Sequence, residues 1–400
     1  MNFILIILSL FCTSSYASED IGSLESSPLI ITGFVYQGLV KSINNNYKGD
    51  STSHWGSFKD RSTGISASYP FNKNIDFRGS LESQQSGDRL SATPNIEYGL
   101  VDMHTTEGDT PRSGIRLGVL RNELGFYNAT MENPVARDMD IAPQSIYRMT
   151  LSDFVNNGKG IQIYSEVNSL QCLNILLEYS RVLPTFSPRE DVTSAWFGIV
   201  PVGTFDETKY TNTYHLLATT KDLRWMFRYD QFNVKADYLR GASDVIPSGD
   251  LGVKVQLFGI HRYFNTWDIT YEFLKDDQVG SLWKVIRPKG RYSIAQNLVV
   301  RKVLSPNWTY YVGYNEWNSD HTDLYGDKAA ASPRGLPAAD YYSKDFNVGI
   351  NYTPNYKWRF RGSYHRINGI VQLSPIDNPD MLRTGAITDN LYTLSATYAF

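Results

Sequence analysis

The feature that most limits the fold of this chain is the alternation of its last ten residues. Every second position back from the carboxyl end is apolar or aromatic: Phe400, Tyr398, Ala396, Leu394 and Tyr392. The positions between them are mostly small and polar. Because successive side chains of a β-strand point to opposite faces, this segment predicts a strand with one apolar face. Any antiparallel domain can end in such a strand, so the rest of the chain must decide between soluble and membrane β-structure.

The amino-terminal residues predict an export signal. Residues 1–17 carry no charged side chain, and residues 3–11 form an apolar stretch of secretory-signal length. Residues 15–17, Ser-Tyr-Ala, match a small-x-small cleavage site. The stretch is shorter than the roughly twenty apolar residues that a spanning helix needs. We therefore interpret residues 1–17 as a signal peptide and residues 18–400 as one mature domain, in which Cys172 is the only cysteine.

The composition favours a barrel with a lipid-facing outside and a water-filled inside. The chain has 27 Tyr and 8 Trp, its mean hydropathy is −0.34, and no long apolar run occurs in it. Such a barrel needs only every second residue to be apolar, and it places aromatic girdles at both membrane interfaces. A helical membrane protein is excluded by this pattern. The net charge of −3 gives no indication of a nucleic-acid partner.

Alternation divides the chain into segments of about nine to twelve residues, the length of a tilted membrane strand. The clearest segments are residues 75–82, 173–182, 267–273, 346–352 and 356–364. A soluble sandwich would also alternate, but its buried face would favour Val, Ile and Leu over this density of Tyr and Trp. The sequence therefore predicts an all-β fold, a transmembrane antiparallel β-barrel of about sixteen strands that spans residues 18–400.

The predicted connections are of two kinds. Short turns with Pro and Asn, at 305–307 and 353–355, join adjacent strands. Long polar stretches separate the others: 42–56, 122–158, 184–208, 276–290, 318–340 and 367–389. Bacterial membrane barrels show this asymmetry, with short periplasmic turns and long external loops.

The strand count depends on residues 222–240, which must form one long strand to give a total of about sixteen. Apolar residues occupy odd positions up to Tyr229 and even positions from Val234 onward. This switch predicts a bulge or an extra turn near residues 230–233, and it leaves the count uncertain by about two strands. A barrel of about sixteen strands has an open aqueous lumen.

Several segments resemble a proteobacterial outer-membrane porin. The chain ends on an aromatic residue, and the opening strand at 31–37 is similar to the Gly-Phe-x-x-Gln opening of porin-like proteins. Residues 114–118, 125–128 and 143–147 resemble the strand of these proteins that runs into a long loop. Residues 121–124 depart from the turn of the family, so the charge lining of its constriction does not transfer to this chain.

The resemblance implies a homotrimer of barrels in the outer membrane of a Gram-negative bacterium. It also implies that the loop after the fifth strand, residues 122–158, folds into the lumen as a constriction. We predict that this loop is ordered there, with Tyr127 and residues 143–147 anchoring it to the wall. Tyr398 and Phe400 would belong to the signal that the barrel assembly machinery reads. Outer-membrane lipid would surround the barrel, and small hydrophilic solutes would cross it.

Strand parity selects the charged residues expected to face the lumen. On the early strands these are Asp76, Arg78, Glu82, Glu97, Arg116, Glu166 and Glu178. On the later strands they are Arg224, Arg228, Lys254, Asp268, Glu272, Arg301, Lys357, Arg359 and Arg361.

An acidic loop facing a basic wall would set a transverse field across the pore. The candidate constriction residues are Arg116, Glu123, Glu132, Asp138, Asp140, Arg224, Arg228, Lys357, Arg359 and Arg361. Any one of these could instead be a wetted residue in a local salt bridge. For the closely spaced row Lys357, Arg359 and Arg361 we favour a functional role, as a positive side of the constriction that attracts anions.

Signals for catalysis are weak. The six His show no spacing typical of a metal site, and the sequence has no Gly-x-Ser-x-Gly elbow or phosphate loop. We therefore expect no enzyme activity and no cofactor or metal. The predicted function is passive diffusion of small hydrophilic solutes and ions through a porin. Two alternatives stay open: a monomeric structural or surface-interaction barrel with a blocked lumen, and an outer-membrane hydrolase.

Overall fold

Antiparallel strands account for nearly all of the regular structure of this chain. The computed structural model describes residues 29–88, 90, 92–105, 112–127, 133–137, 139–147, 157–168, 172–184, 203–206, 209–242, 247–281, 292–332, 336–374, 376–379 and 387–400. The predicted signal peptide, residues 1–17, lies outside the described residues.

Apart from β8, each strand pairs with the next one along the chain, and the last strand pairs with the first. The strands are β1 (Ile30–Ser42), β2 (Ser57–Asn72), β3 (Ile75–Ser86), β4 (Pro94–His104), β5 (Arg112–Arg121), β6 (Asn157–Val167), β7 (Leu173–Pro184), β8 (Thr204–Asp206), β9 (Thr211–Thr220), β10 (Trp225–Leu239), β11 (Gly249–Phe264), β12 (Trp267–Val279), β13 (Ser293–Ser305), β14 (Trp308–Asn318), β15 (Tyr342–Tyr352), β16 (Trp358–Asn368) and β17 (Thr388–Ala399). The pairing of β1 with β17 closes the sheet into a barrel, so the first and the last strand are not open edges.

The strands β8 and β9 occupy a single position in the wall. Both pair with β10, β8 along 237–239 and β9 along 226–233. The seventeen strands therefore make a barrel of sixteen wall positions. This confirms the predicted antiparallel barrel of about sixteen strands.

The connections differ in length at the two ends of the barrel. Short turns at 73–74, 265–266, 306–307 and 353–357 lie at one end, together with the start of β1 and the end of β17. The connections at the other end include 43–56, 122–156, 319–341 and 369–387. A short helix α1 (Asp327–Ala330) and a 3-10 helix (Ala338–Tyr341) lie in one of them. In the described part of the chain, no helix is long and apolar enough to cross a membrane.

The predicted bulge near residues 230–233 is wrong. Strand β10 pairs residue for residue with β9 and β11 through this region, without a shift of register. Phe227 faces outward and is 40% exposed, whereas Phe232 and Val234 face inward and are buried. The inward positions are apolar because the long loop after β5 packs on them, with Leu124 among its contacts. The switch of parity therefore marks the part of the wall that this loop covers.

Lys254 was predicted to face the lumen, and this prediction is wrong for the same reason. It alternates along β11 with the buried Val253 and Val255, which pack in the cluster beneath the loop. Because these two valines face inward, Lys254 faces outward and does not line the lumen. The sequence prediction had assumed that apolar residues point to lipid.

The outer face carries an apolar band between two aromatic girdles. The girdle at the short-turn end contains Trp225, Phe264, Trp267, Trp308, Tyr352, Trp358 and Tyr398, and the girdle at the long-loop end contains Tyr179, Tyr214, Tyr229, Phe258, Phe273, Tyr314, Phe346, Tyr364 and Tyr392. Exposed apolar side chains such as Ile260, Leu298 and Leu394 lie between them. Such an exterior is typical of a barrel surrounded by lipid.

Tyrosine hydroxyls mark the boundary of this band at the long-loop end. The hydroxyl of Tyr229 donates to Gln231 Oε1 at 3.0 Å, and that of Tyr314 donates to Glu316 Oε2 at 3.0 Å. Tyr364 likewise donates to Asn390 Oδ1 at 2.8 Å. Each ring lies in the apolar band, and its hydroxyl reaches a polar residue that lies nearer the long-loop end of the barrel. This arrangement is expected at a membrane interface.

Phe400 lies at the seam where the barrel closes. Its backbone N–H donates to Gly33 O at 3.0 Å, and Gly33 N–H donates to Phe400 O at 2.9 Å. The side chain of Phe400 is 58% exposed on the outer face.

We predict that Phe400→Ser lowers the amount of heat-modifiable barrel in the outer membrane, because an aromatic residue is lost from the closing seam. Unit conductance of the barrels that do assemble should not change, since this side chain faces outward. Leu394→Ser, which removes another exposed apolar residue of β17, serves as the matched control. Equal assembly of the Phe400→Ser protein and the wild type would contradict the prediction.

Candidate functional site: the loop inside the barrel

Two buried carboxylates hold the start of the long loop against the inner wall. The backbone N–H of Gly125 donates to Asp230 Oδ2 at 2.6 Å, and that of Phe126 donates to Glu272 Oε1 at 2.7 Å. Asp230 lies on β10 and Glu272 on β12, both facing inward. The loop therefore turns into the lumen as soon as β5 ends.

The segment 143–147 is held at the same place. The hydroxyl of Tyr147 donates to Glu272 Oε1 at 2.5 Å and accepts the backbone N–H of Tyr127 at 3.0 Å. The rings of Tyr127 and Tyr147 pack edge to face, with centroids 5.8 Å apart. Glu272 Oε2 accepts a further bond from Asn297 Nδ2 at 3.2 Å. One carboxylate thus joins both arms of the loop to the wall.

Apolar packing reinforces these hydrogen bonds. Four loop residues, Leu124, Ala142, Ile146 and Tyr147, form a buried cluster with wall residues of β10 to β14: Phe232, Val234, Val253, Val255, Leu257, Leu274, Ala295 and Trp317. Full burial of one such aliphatic side chain is worth about 1.5–3 kcal/mol. A small hydrophobic core therefore lies inside the barrel, between the loop and one side of the wall.

The loop then reaches β1 and β17. Asp140 Oδ1 accepts the hydroxyl of Ser395 at 2.6 Å and that of Tyr36 at 3.3 Å. The guanidinium of Arg137 lies 4.7 Å from the centre of the Tyr36 ring. These contacts extend the loop across the lumen from the β10–β14 wall.

The arginines of β16 bind the main chain of the loop. Arg359 Nη1 donates to the carbonyl of Arg137 at 3.0 Å, and Arg361 Nη2 donates to the same carbonyl at 2.8 Å. Arg361 also donates to the carbonyl of Pro134, and it is only 3% exposed. Lys357 lies in the turn before β16, with its ammonium 5.6 Å from the ring centre of Tyr356. The three basic residues therefore do not form one row of charges facing water.

Three further predicted constriction residues, Arg228, Glu123 and Arg224, lie in different parts of the barrel. Arg228 Nε donates to Asp230 Oδ2 at 2.7 Å, and its Nη2 lies 3.7 Å from Glu123 Oε2. Arg224 lies in the turn between β9 and β10 with 70% of its side chain exposed. Leu223, with a φ of 56°, reverses the chain just before it. Arg224 is a predicted constriction residue, but it lies at the short-turn end of the barrel and not beside the loop. Glu132 and Asp138 lie outside the described residues.

A network of paired charges occupies the wall formed by β4 to β7. Arg116 Nη1 lies 2.9 Å from Glu178 Oε1, and its Nε lies 3.2 Å from Asp102 Oδ2. The guanidinium also stacks on the ring of Tyr164, 4.2 Å from its centre. The hydroxyl of Tyr164 donates to Asp102 Oδ1 at 2.9 Å.

The same network continues to β3. Arg78 Nη2 lies 2.9 Å from Asp76 Oδ2 and 3.9 Å from Asp102 Oδ2. The side chains of Arg78 and Arg116 are partly exposed. This wall therefore presents paired charges to the interior, with partly exposed arginines.

The external connections pack over the β16–β17–β1 side of the mouth. Asp389 of β17 accepts the backbone N–H groups of residues 43–45 at 3.1, 3.0 and 2.6 Å. The side chain of Tyr47 packs with Ala339 and Leu373, which come from two other connections. Burial raises the pKa of the Tyr47 hydroxyl well above its usual value. The mouth is thus built from ordered contacts between connections that are distant in sequence.

Asp230 is the functional residue that the sequence analysis missed, since it fell in the predicted bulge. The signal for it was an acidic residue two positions after Arg228, on the inward parity of that arginine. Its Oδ1 lies 2.8 Å from His215 Nδ1 and its Oδ2 accepts a hydrogen bond from Arg228 Nε at 2.7 Å, so both side chains contact its buried carboxylate. Among the described residues, no group of three His, Cys, Asp or Glu could hold a metal ion.

Comparison with known proteins supports the fold. No family model matches the sequence, and no curated protein sequence is similar to it. OmpT, an outer-membrane protein of Vibrio cholerae, is 10% identical with a TM-score of 0.58, over 95% of this chain and 100% of that one. The anion-selective porin of Comamonas acidovorans is 10% identical with a TM-score of 0.57, over 94% and 100%. Salmonella typhi OmpF, in complex with daunomycin, is 11% identical with a TM-score of 0.56, over 93% and 97%.

These similarities, together with the apolar exterior, define the class of the protein. The chain has the fold of a porin-like transmembrane β-barrel of the outer-membrane type. At such low identity the similarity concerns the fold alone.

The contacts of Glu272 predict a specific effect of its loss. In Glu272→Leu, the Tyr147 hydroxyl and the Phe126 N–H lose their acceptor, at a cost of about 1–3 kcal/mol for each buried group. The loop should become a substrate for chymotrypsin in the folded barrel. Glu178→Leu, an inward carboxylate held by Arg116 instead of the loop, should not have this effect. Equal resistance of the Glu272→Leu protein and the wild type would show that other contacts suffice.

Because Asp340 is buried, we predict that the stability of the mouth depends on pH. Burial raises its pKa to about 6 from a usual value near 3.8. The folded state therefore binds a proton more tightly than the unfolded state, and stability should fall as the pH rises from about 4 to 6. The protection factors for hydrogen exchange in the connection between β14 and β15, which are corrected for the intrinsic pH dependence of amide exchange, should fall over this range. Asp340→Asn should remove the dependence, whereas an unchanged profile in that variant would assign it to another group.

Proposed function

We propose that this chain is an outer-membrane porin through which small hydrophilic solutes and ions diffuse passively, without an enzymatic step. The observation that carries this proposal is the one-sided attachment of the loop. Beyond its root at Asn122, the hydrogen bonds and apolar contacts of the loop described above lie on β1 and on β10 to β17. Arg137 of the loop also interacts electrostatically with Asp60 of β2 and Glu82 of β3. Paired charges with partly exposed arginines line β3 to β7 on the other side. A polar path along that wall suits hydrated solutes and disfavours apolar ones.

The selectivity of this path would come from charges that face water. Arg359 and Arg361 bind loop carbonyls, so they act mainly as supports for the loop in this proposal. Arg78 and Arg116 are partly exposed on the opposite wall, and Glu123 of the loop has 45% of its side chain exposed. A field between these groups would orient dipolar solutes.

Single-channel recording in planar bilayers tests the proposal. Stepwise ohmic conductance from the folded barrel is the expected result. If a properly folded barrel shows no conductance, this result would favour a structural or surface-interaction barrel with a blocked lumen. The apolar cluster inside the lumen and the packed external connections are the observations that favour this second candidate. Hydrolysis of lipid or peptide substrates would indicate an enzyme instead.

The assembly state is a further part of the proposal. We infer a homotrimer from the resemblance to porins, with insertion by the barrel assembly machinery. Native mass spectrometry of the detergent-extracted protein should give the mass of three chains, and a mass of one chain would remove this part of the proposal without affecting diffusion.

Arg116→Gln tests which charges set selectivity. The substitution removes the cation nearest to Asp102 and Glu178 and leaves Asp102 with the more distant Arg78, so the reversal potential in a salt gradient should shift toward cations. The shift should be larger at low ionic strength, because salt screens charges beyond about 8–10 Å. Lys302→Gln serves as control, because Lys302 faces outward with its ammonium 4.5 Å from the ring centre of Trp267. If both variants behave alike, the β3–β7 wall does not determine selectivity.

A further inference from the structure

A basic site lies on the outside of the barrel at the short-turn end. A cavity of about 350 Å³ opens there, lined by Arg224, Arg262 and residues 263–267. These residues belong to the turn between β9 and β10 and to the hairpin of β11 and β12.

Arg262 faces the membrane side of the wall. It shares the outward parity of Ile260 and Phe264, which are 43% and 40% exposed. Its neighbour His261 faces the opposite way, with its ring centroid 5.9 Å from that of Phe126 in the loop. A guanidinium group therefore stands in the aromatic girdle of the outer face.

Two aromatic rings fix the position of this guanidinium. Its central carbon lies 4.3 Å from the ring centre of Trp225 and 4.3 Å from that of Phe264. Stacking of this kind leaves the N–H groups at the edge of the guanidinium plane available as donors. Within the described part of the chain, no carboxylate or carbonyl accepts a hydrogen bond from Arg262.

The surroundings add positive charge. Lys302 lies on the outer face beside the same girdle, with its ammonium over Trp267. Arg224 is mostly exposed, and Asp222, 3.7 Å from its Nε, is the acidic residue of this turn. Cations thus exceed acidic groups at a level where the protein meets lipid. An outward charge on a barrel is unfavourable unless it reaches the interface or an anionic partner.

We propose that Arg262, with Arg224 and Lys302, binds the phosphodiester group of a membrane phospholipid in the leaflet at the short-turn end. Guanidinium groups bind phosphate through two parallel hydrogen bonds. The aromatic girdle places the site at the depth of lipid headgroups. The rings of Phe264 and Trp267 border the cavity and offer contact to the glycerol and the upper acyl chains. This assignment does not depend on whether the lumen conducts.

Native mass spectrometry of the whole barrel in a neutral detergent tests the site. Phosphatidylglycerol should bind to the wild type, whereas diacylglycerol, which has the same acyl chains without phosphate, should not. Arg262→Gln should weaken binding by about tenfold or more, the effect of losing a charge-assisted pair. Arg262→Lys should bind with intermediate affinity, because it keeps the charge and loses the planar fork.

A control and three contrary outcomes make the test decisive. Lys235→Gln changes an exposed cation of β10 far from this turn and should bind lipid as the wild type does. Heat-modifiability confirms that each variant is folded. The proposal is overturned if folded Arg262→Gln retains wild-type affinity, or if diacylglycerol binds equally well. Displacement of the lipid by millimolar inorganic phosphate would also overturn it, in favour of a site for free anions.

Discussion

The interior of this barrel depends on the hydrogen bonds that Asp230 and Glu272 accept from the loop. A loop that enters the lumen brings backbone N–H groups away from bulk water, and these need acceptors. The two carboxylates supply them at the point where the chain leaves β5. Their own burial is offset by Arg228 and His215 on one side and by Asn297 and Tyr147 on the other. Once the loop is held there, its apolar side chains can pack on the wall.

This attachment divides the inner wall into two regions with different chemistry. Strands β10 to β14 carry buried apolar side chains where the loop covers them, and β16 supplies arginines to carbonyls of the loop. Strands β3 to β7 carry ion pairs such as Arg116–Glu178 instead. A basic residue that faces inward therefore has one of two roles, which depend on whether the loop or water lies opposite. Strand parity alone cannot distinguish these roles.

The limits of sequence-based prediction follow from the same division. Alternation is a local property, so it was sufficient to predict the antiparallel barrel and the short turns at 305–307 and 353–355. The wall beneath the loop is determined by contacts between residues far apart in sequence, such as Leu124 with Phe232. There the rule that apolar residues face lipid fails. For this reason the predicted bulge near residues 230–233 and the predicted inward face of Lys254 are wrong. The inward parity of Arg361 was predicted, but its carbonyl partner could not be.

Exceptions to alternation are therefore informative about contacts on either face of the wall. Apolar residues at inward positions, as at Val253 and Val255, mark the region that the loop covers. A charge at an outward position in the aromatic girdle is the reverse exception, and Arg262 shows it between Trp225 and Phe264. Both exceptions have the same physical cause, since a side chain whose polarity opposes its surroundings is stable only with a matching partner. On the inner face that partner is the loop of the protein itself. On the outer face the surrounding medium is lipid, and its anionic headgroups are the matching chemistry for a guanidinium.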